Sequence, residues 1–313
     1  MNVGTTNLTS AGASDMFIAR YTTDGTYDGA AIRIGGSNPE VAPPGTVRCD
    51  AAGNVYMTGR FRGTIDLDPG TGVTSVANPT AADNIWISSY TGALTFRWGF
   101  SLVSNGGLDG AHRVAFDGQG NLFVAGWFAG SSTDFDGGAG SYILASTNSA
   151  VGTASDTFIA KYNKDTGAFL WARGFGGTVT DQTQLSITAG LGVDADGCAY
   201  VTGQFYGTGA GHYCATGPLT AAPSWNSTGL NDGYIIKYDS DGNLWIPFEI
   251  TAISQTNGMF GITWTPHPAV RLQRTTNLVE ASWQDVPDTL GAETYSEPLT
   301  NPAAFFRLAR PVP

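Results

Sequence analysis

The chain has 313 residues, of which 43 are glycine, and only 13% are charged, against about 25% in an ordinary soluble domain. Its net charge of −11 argues against nucleic acid and anionic membranes as partners, because binding to either needs a basic surface that displaces counterions. No window approaches 18 consecutive apolar residues, so we expect no membrane insertion.

One short pattern occurs four times, at residues 15–21, 84–90, 156–162 and 232–238. Each copy opens with Asp or Asn, continues with apolar residues and closes with Tyr. A turn that contains glycine and a second apolar run follow each copy. Strands joined by glycine turns are typical of β-hairpins, so the pattern predicts four of them.

A second pattern lies between these copies, at residues 50–59, 117–126 and 194–203. It pairs an Asp-x-x-Gly turn with a strand rich in Val, Tyr, Phe and Thr, and it predicts three further hairpins. Two hairpins per repeat make a four-stranded antiparallel unit, and a radial array of such units is a β-propeller. The chain is therefore predicted to be all-β.

The repeats predict a propeller over residues 1–250 with three whole blades and one half. The half blade covers residues 15–36, and the blades cover about 45–102, 111–177 and 188–250. Residues 251–313 leave the repeat pattern, and their short alternating strands are similar to a small fibronectin-like β-sandwich.

The repeated residues resemble a known family. Asp156-Thr-Phe-Ile-Ala-Lys-Tyr followed by Trp171, paired with Asp117-Gly-Gln-Gly-Asn-Leu-Phe-Val-Ala-Gly, looks like the bacterial SBBP-type β-propeller repeat over about residues 4–250. The resemblance implies a secreted or cell-surface bacterial protein and no defined chemistry.

Two acidic loops are candidate calcium sites. Asp66 and Asp68 alternate with apolar residues, as do Asp134 and Asp136, so both carboxylates of a loop point the same way along an extended strand. Calcium needs six to eight oxygens, which loop carbonyls could help to supply. The alternative is that these aspartates accept hydrogen bonds from loop amides and shape a tight turn.

Three cysteines make an odd count, and two tryptophans break the repeat. Cys198 and Cys214 could form a disulfide, whereas Cys49 stands where other repeats have Phe116 or Val193 and is predicted to be a buried free thiol. Trp127 and Trp225 have no counterpart in the other repeats, so they are candidates for exposed rings that face a ligand.

No catalytic pattern stands out. The three histidines lie far apart, and neither a nucleophile elbow nor a phosphate-binding loop occurs. The sequence therefore predicts a protein that is not an enzyme and needs no organic cofactor.

The half blade cannot close a ring from the repeats alone, since closed propellers need at least about four whole blades. Its open edge, formed by Phe17, Ile18, Ala19, Arg20 and Tyr21, needs a strand from the C-terminal segment, an upstream portion or another copy.

We favour another copy of the chain as the source of that strand, which predicts a non-catalytic extracellular structural protein that self-assembles into a filament or surface layer. The alternative is a secreted module that binds a glycan or protein through the loops at 70–82, 137–155 and 207–231.

Overall fold

The computed structural model describes most of the chain, namely residues 2–41, 46–80, 82–107, 109–147, 155–176, 187–205, 208–209, 212–214, 217–218, 225–226, 232–245, 250–265, 270–277, 282–298 and 304–309. Within these ranges the structure is all-β, and every sheet in it is antiparallel. The described part of the chain contains no helix that is long and apolar enough to cross a membrane. Two compact units are present, Met1–Leu244 and Trp245–Pro313, whereas the repeat pattern placed the division at residue 250.

The strands of the first unit are, in chain order, β1 Asn2–Val3, β2 Thr6–Asn7, β3 Met16–Tyr21, β4 Tyr27–Gly36, β5 Val47–Cys49, β6 Val55–Phe61, β7 Thr64–Asp66, β8 Ser75–Ala77, β9 Asn84–Tyr90, β10 Phe96–Ser104, β11 Gly110–Phe116, β12 Asn121–Phe128, β13 Thr133–Asp134, β14 Ile143–Leu144, β15 Asp156–Asn163, β16 Phe169–Phe175, β17 Ile187–Val193, β18 Ala199–Phe205, β19 Thr208–Gly209, β20 His212–Cys214, β21 Gly217–Pro218, β22 Trp225–Asn226 and β23 Asp232–Tyr238. Those of the second unit are β24 Ile250–Thr256, β25 Met259–Trp264, β26 Arg271–Thr275, β27 Gln284–Asp285, β28 Thr294–Pro298 and β29 Phe305–Ala309.

Four sheets follow one another along the first unit. Sheet 1 has the order β3-β4-β7-β8, and sheet 4 has the order β17-β18-β23. Sheet 2 runs β5-β6-β9-β10 and continues into β13-β14, and sheet 3 runs β11-β12-β15-β16 and continues into β20-β21. Two small pairs, β1-β2 and β19-β22, complete the described strands of this unit.

Each of sheets 1 to 3 is extended by a short hairpin from the next repeat. The hairpin β7-β8 follows β6 in the sequence, yet its strand β7 pairs with β4, at Gly35↔Asp66. In the same way β13 pairs with β10, at Val103↔Asp134, and β20 pairs with β16, at Gly174↔Tyr213. These hairpins therefore link each sheet to the sheet before it.

Aspartate turns explain why the hairpins form where the sequence predicts them. One carboxylate oxygen of the turn aspartate accepts the amides of the residues two and four positions later, at 2.8–3.1 Å. The four aspartates are Asp50, Asp117, Asp194 and Asp239. These hydrogen bonds fix the backbone of each bend.

Apolar cores lie between consecutive sheets. Met16 and Ile34 of sheet 1 share a core with Trp86 and Tyr90 of sheet 2, and a second core joins sheets 2 and 3. The third core joins Phe123 and its neighbours in sheet 3 to sheet 4. The sheets therefore stack in chain order, face to face.

The second unit has its own core. Its sheets, β24-β25-β28 and β27-β26-β29, share a cluster that contains Ile262 and Trp264 of one sheet and Leu272 of the other. This is the layout of a small sandwich, in which two antiparallel sheets enclose one apolar layer.

Candidate functional site

Strand β3 has an open edge. Within the described chain it pairs with β4 alone. The equivalent strand β9 lies between β6 and β10, and β15 lies between β12 and β16. A row of backbone donors and acceptors on β3 is thus available to an added strand.

Side chains on this strand are exposed where their equivalents are buried. Phe17 is 48% exposed, whereas Trp86 and Phe158 are both 0% exposed. Tyr21 is 55% exposed, while the equivalent residues Tyr90, Tyr162 and Tyr238 are buried. The same residue types therefore stand in the same positions of the repeat, and only in sheet 1 is their covering layer missing from the described chain.

The other three residues of the predicted edge contact neighbouring parts of the fold. Ile18 packs partly against the core shared with sheet 2, and Ala19 pairs with Ala31 of β4. Arg20 forms an ion pair with Asp28 and donates a hydrogen bond to the carbonyl oxygen of Gly92. These contacts hold β3 in place with its edge open.

An apolar groove of about 530 Å³ runs beside this edge. Residues 17–20 line one side, and Val47, Val55, Met57 and Leu94 of the sheet 2 repeat line the other. A strand laid along β3 would cover these apolar side chains as well as the open backbone. No pattern in the sequence indicates this groove, because its second wall comes from a different repeat.

Cys49 also lines this groove. It is a free cysteine and it is exposed, so the prediction of a buried thiol is wrong. Phe116, the equivalent residue on β11, is half-buried against the core between sheets 2 and 3. Strand β5 has no such cover in the described chain, and this explains the exposure of Cys49.

The two acidic loops share one hydrogen-bond pattern. An Oδ1 atom of Asp66 accepts the amides of Asp68 at 3.0 Å and Thr74 at 2.9 Å, and Asp68 accepts the amide of Gly70 at 2.8 Å. In the second loop Asp134 and Asp136 repeat these contacts with residues 136, 142 and 138. One oxygen of each carboxylate thus accepts hydrogen bonds from loop amides, and these bonds shape the loop.

Calcium at these loops stays a prediction. In the described residues no cluster of three or more histidine, cysteine or acidic side chains has the arrangement of a metal site. Loop carbonyl oxygens would have to supply most of the ligands, because each loop brings only two carboxylates.

The prediction of an exposed ring at Trp127 is wrong. It is buried and its ring meets His112 edge-on, with the ring centroids 3.8 Å apart. The extra tryptophan fills the space above Gly110, where a β-carbon would lie 2.7 Å from the indole. Trp225 lies on β22, and its side chain is outside the described part of the structure.

Cys198 is a free cysteine in the structure, so a disulfide with Cys214 is not formed. Cys198 immediately precedes β18, whereas Cys214 lies in the segment that leaves the far end of that strand. Strand β20 pairs with β16 of sheet 3, whereas β18 belongs to sheet 4. Burial raises the pKa of the Cys198 thiol.

Buried carboxyl groups lie in the connections between sheets. Glu40 follows sheet 1, and its amide donates to the carbonyl of Ser14 at 3.0 Å. Asp109 follows sheet 2, and its amide donates to the carbonyl of Asp83 at 3.2 Å. Burial raises the pKa of Glu40 to about 7 and that of Asp109 to about 6.

These groups predict a pH-dependent stability. Folded Glu40 holds its proton up to pH of about 7, whereas an unfolded glutamate loses it near 4.5, so stability falls as pH rises through this window. We expect Glu40→Gln to stabilise the chain by on the order of 2 kcal/mol at pH 8 and to have little effect at pH 5.

Urea unfolding at the two pH values measures this difference. Asp196→Asn, which removes one exposed charge, is the control and should shift stability little at either pH. Burial lowers the pKa of His112 to about 4. This histidine therefore lowers the stability of the fold only as pH falls below about 6.5. Equal effects of Glu40→Gln at pH 5 and pH 8 would contradict the prediction.

No protein-family model matches the chain, and no curated protein is found as a relative. The resemblance to the SBBP-type repeat therefore stays an expectation from the sequence.

Proposed function

We propose that the protein is a non-catalytic structural subunit of the bacterial cell surface or exterior, and that copies assemble through the open edge of β3. In this proposal sheets 2, 3 and 4 are blades of an open β-propeller, sheet 1 is its half blade, and the second unit is a fibronectin-like sandwich. A strand from another copy completes the half blade.

The observation that carries the proposal is the exposure of Phe17 and Tyr21 at positions that are buried in every later repeat. The groove beside β3 supports it, because its apolar lining continues the exposed surface onto sheet 2. Exposed apolar surface beside an unpaired strand edge is the usual mark of a surface that pairs with another chain.

Strand addition makes two favourable contributions to the free energy of association. The edge of β3 carries about six backbone donors and acceptors, and each hydrogen bond that replaces one to water contributes roughly 1 kcal/mol. Covering the groove adds a hydrophobic contribution of roughly 25 cal/mol for each Å² of apolar surface removed from water. Together these terms can offset the entropy lost on association.

The proposal predicts that the wild-type chain assembles in solution. Proline at position 18 or 19, at whichever amide faces the incoming strand, should abolish assembly because it removes a donor from the ladder. Sedimentation velocity and electron microscopy of the wild-type chain, Ile18→Pro and Ala19→Pro measure the effect.

Two outcomes would contradict this proposal. One is a wild-type chain that remains monomeric, and the other is assembly that survives in both proline variants while thermal unfolding shows that they fold. The second candidate, a module that binds glycans or proteins, has less support, since the ring of Trp127 is buried.

A further inference from the structure

Equivalent strands use alternate residues for the two neighbouring sheets. Phe158 of β15 belongs to the core shared with sheet 2, and its neighbour Ile159 belongs to the core shared with sheet 4. On β9, Trp86 faces sheet 1, whereas Ile85 and Ile87 face sheet 3. Each sheet therefore has one face for the sheet before it and another for the sheet after it.

Sheets 1 and 4 each expose one of these faces. Phe17 and Tyr21 occupy the positions that elsewhere meet the preceding sheet, and they are exposed. Ile235 of β23 occupies the position of Ile159, which elsewhere meets the following sheet, and it is 66% exposed. The two ends of the stack thus present the two halves of one repeated junction.

Polar contacts between neighbouring sheets end on the same turn of each repeat, namely the turn that follows β9, β15 or β23. Arg20 donates to the carbonyl of Gly92, and the indole of Trp98 donates to the carbonyl of Lys164 at 3.1 Å. The ammonium of Lys161 donates to the carbonyl of Ser240 at 2.9 Å. A donor of one sheet therefore binds the turn of the next sheet at all three junctions.

The corresponding turn of sheet 1 has the same internal hydrogen bonds. The amide of Thr22 donates to the carbonyl of Thr26 at 2.9 Å, and that of Gly25 donates to the carbonyl of Thr22 at 2.9 Å. In sheet 4 the amides of Asp239 and Gly242 make the equivalent bonds, also at 2.9 Å. The turn of sheet 1 is thus already folded as a turn that receives such a donor.

In the turns of sheets 3 and 4, a glycine marks where the preceding sheet packs. A β-carbon on Gly242 would lie 2.6 Å from Trp171 of sheet 3, and one on Gly167 would lie 2.9 Å from Trp98 of sheet 2. Among the described residues, no atom would lie within 4 Å of a β-carbon on Gly25. The space above the turn of sheet 1 is therefore open to a sheet from outside.

We propose that a second copy of the chain fills this space with the outer face of its sheet 4, so that copies stack head to tail. Ile235 of one copy covers Phe17 and Tyr21 of the next. Lys237, which stands where Lys161 stands in sheet 3, donates to the carbonyl of Thr23 in the next copy. This inference rests on self-assembly of the chain and names the surface that meets sheet 1.

The contact is heterologous, since two different surfaces meet. Repeating it gives an open chain of copies unless the rotation closes a ring. Lysine in place of Ile235 or Phe17 places a charge in the contact, and both residues are exposed enough for the subunit to fold. We expect each variant alone to weaken association at least tenfold.

Mixing the two variants in full-length form is the decisive experiment. Ile235→Lys keeps an intact sheet 1 face, and Phe17→Lys keeps an intact sheet 4 face. A mixture should therefore form a dimer of twice 32.6 kDa and no larger species, because each variant supplies one competent surface. Tyr21→Lys serves in place of Phe17→Lys if the latter unfolds.

Ile253→Lys on β24 is the matched control, because Ile253 is 67% exposed and lies in the second unit. It should assemble as the wild type does. Normal assembly of Ile235→Lys, or loss of assembly in Ile253→Lys alone, would overturn the sheet 4 contact while leaving self-assembly through β3 intact. A monomeric wild-type chain would instead refute the proposed function itself.

Discussion

Replacing Phe158 with alanine is expected to lower the free energy of unfolding by about 3 to 5 kcal/mol. The same change at Phe17, its equivalent in sheet 1, is expected to cost less than about 1 kcal/mol in the monomer. Phe158 is fully buried, and its ring centroid lies 5.0 Å from that of Phe135. Truncation there leaves a cavity that its packed neighbours can only partly fill.

Urea unfolding at a protein concentration low enough to suppress association measures both changes. Because the chain has two compact units, the transition of the first unit must be followed by a probe within residues 1–244. Equal losses for the two alanine variants would show that Phe17 is covered within a single chain. That result would also remove the main support for assembly through β3.

Hairpins could be predicted from the sequence because their signals are local. The turn aspartate accepts hydrogen bonds from the amides two and four residues later, and a glycine stands in the bend. These features fix the turn without help from the rest of the fold. The apolar runs on either side then pair with their nearest neighbours in the chain. Strands β11 and β12, which flank the turn of Asp117, show this directly.

Pairing of the short hairpins could not be predicted in the same way. Thr64–Asp66 is only three residues long, and its partner on β4 is separated from it by β5 and β6. Nothing in so short a segment distinguishes a strand from an irregular loop, and its role depends on the neighbouring sheet. The prediction of metal ligands in these loops rests instead on the alternation of their aspartates with apolar residues.

Exposure could not be predicted from the sequence where it depends on a neighbouring sheet. Trp127 was predicted to be exposed because it breaks the repeat, yet it is buried against His112. Cys49 was predicted to be buried because it keeps the repeat, yet it is exposed. A repeat position specifies which way a side chain points, whereas its burial depends on whether a sheet stands opposite.

Gly126→Ala is expected to destabilise the first unit by about 3 kcal/mol. A β-carbon at this position would lie 2.0 Å from the carbonyl oxygen of Gly110 and 2.7 Å from the Cα of Ala111. Both atoms belong to the backbone of β11, so no side chain can rotate to make room, and the pairing of β11 with β12 must shift.

Gly118→Ala is the matched control, because a β-carbon there would meet no atom of the described part of the chain within 4 Å, and we expect a change of less than about 0.5 kcal/mol. Chemical denaturation of the two variants beside the wild-type chain measures the difference. Gly126 stands opposite Phe158, as Gly59 stands opposite Trp86 and Gly203 opposite Tyr234. A small effect of Gly126→Ala would mean that β11 can move away from β12. Close approach of the backbone would then not explain why β6, β12 and β18 all have glycine at this position.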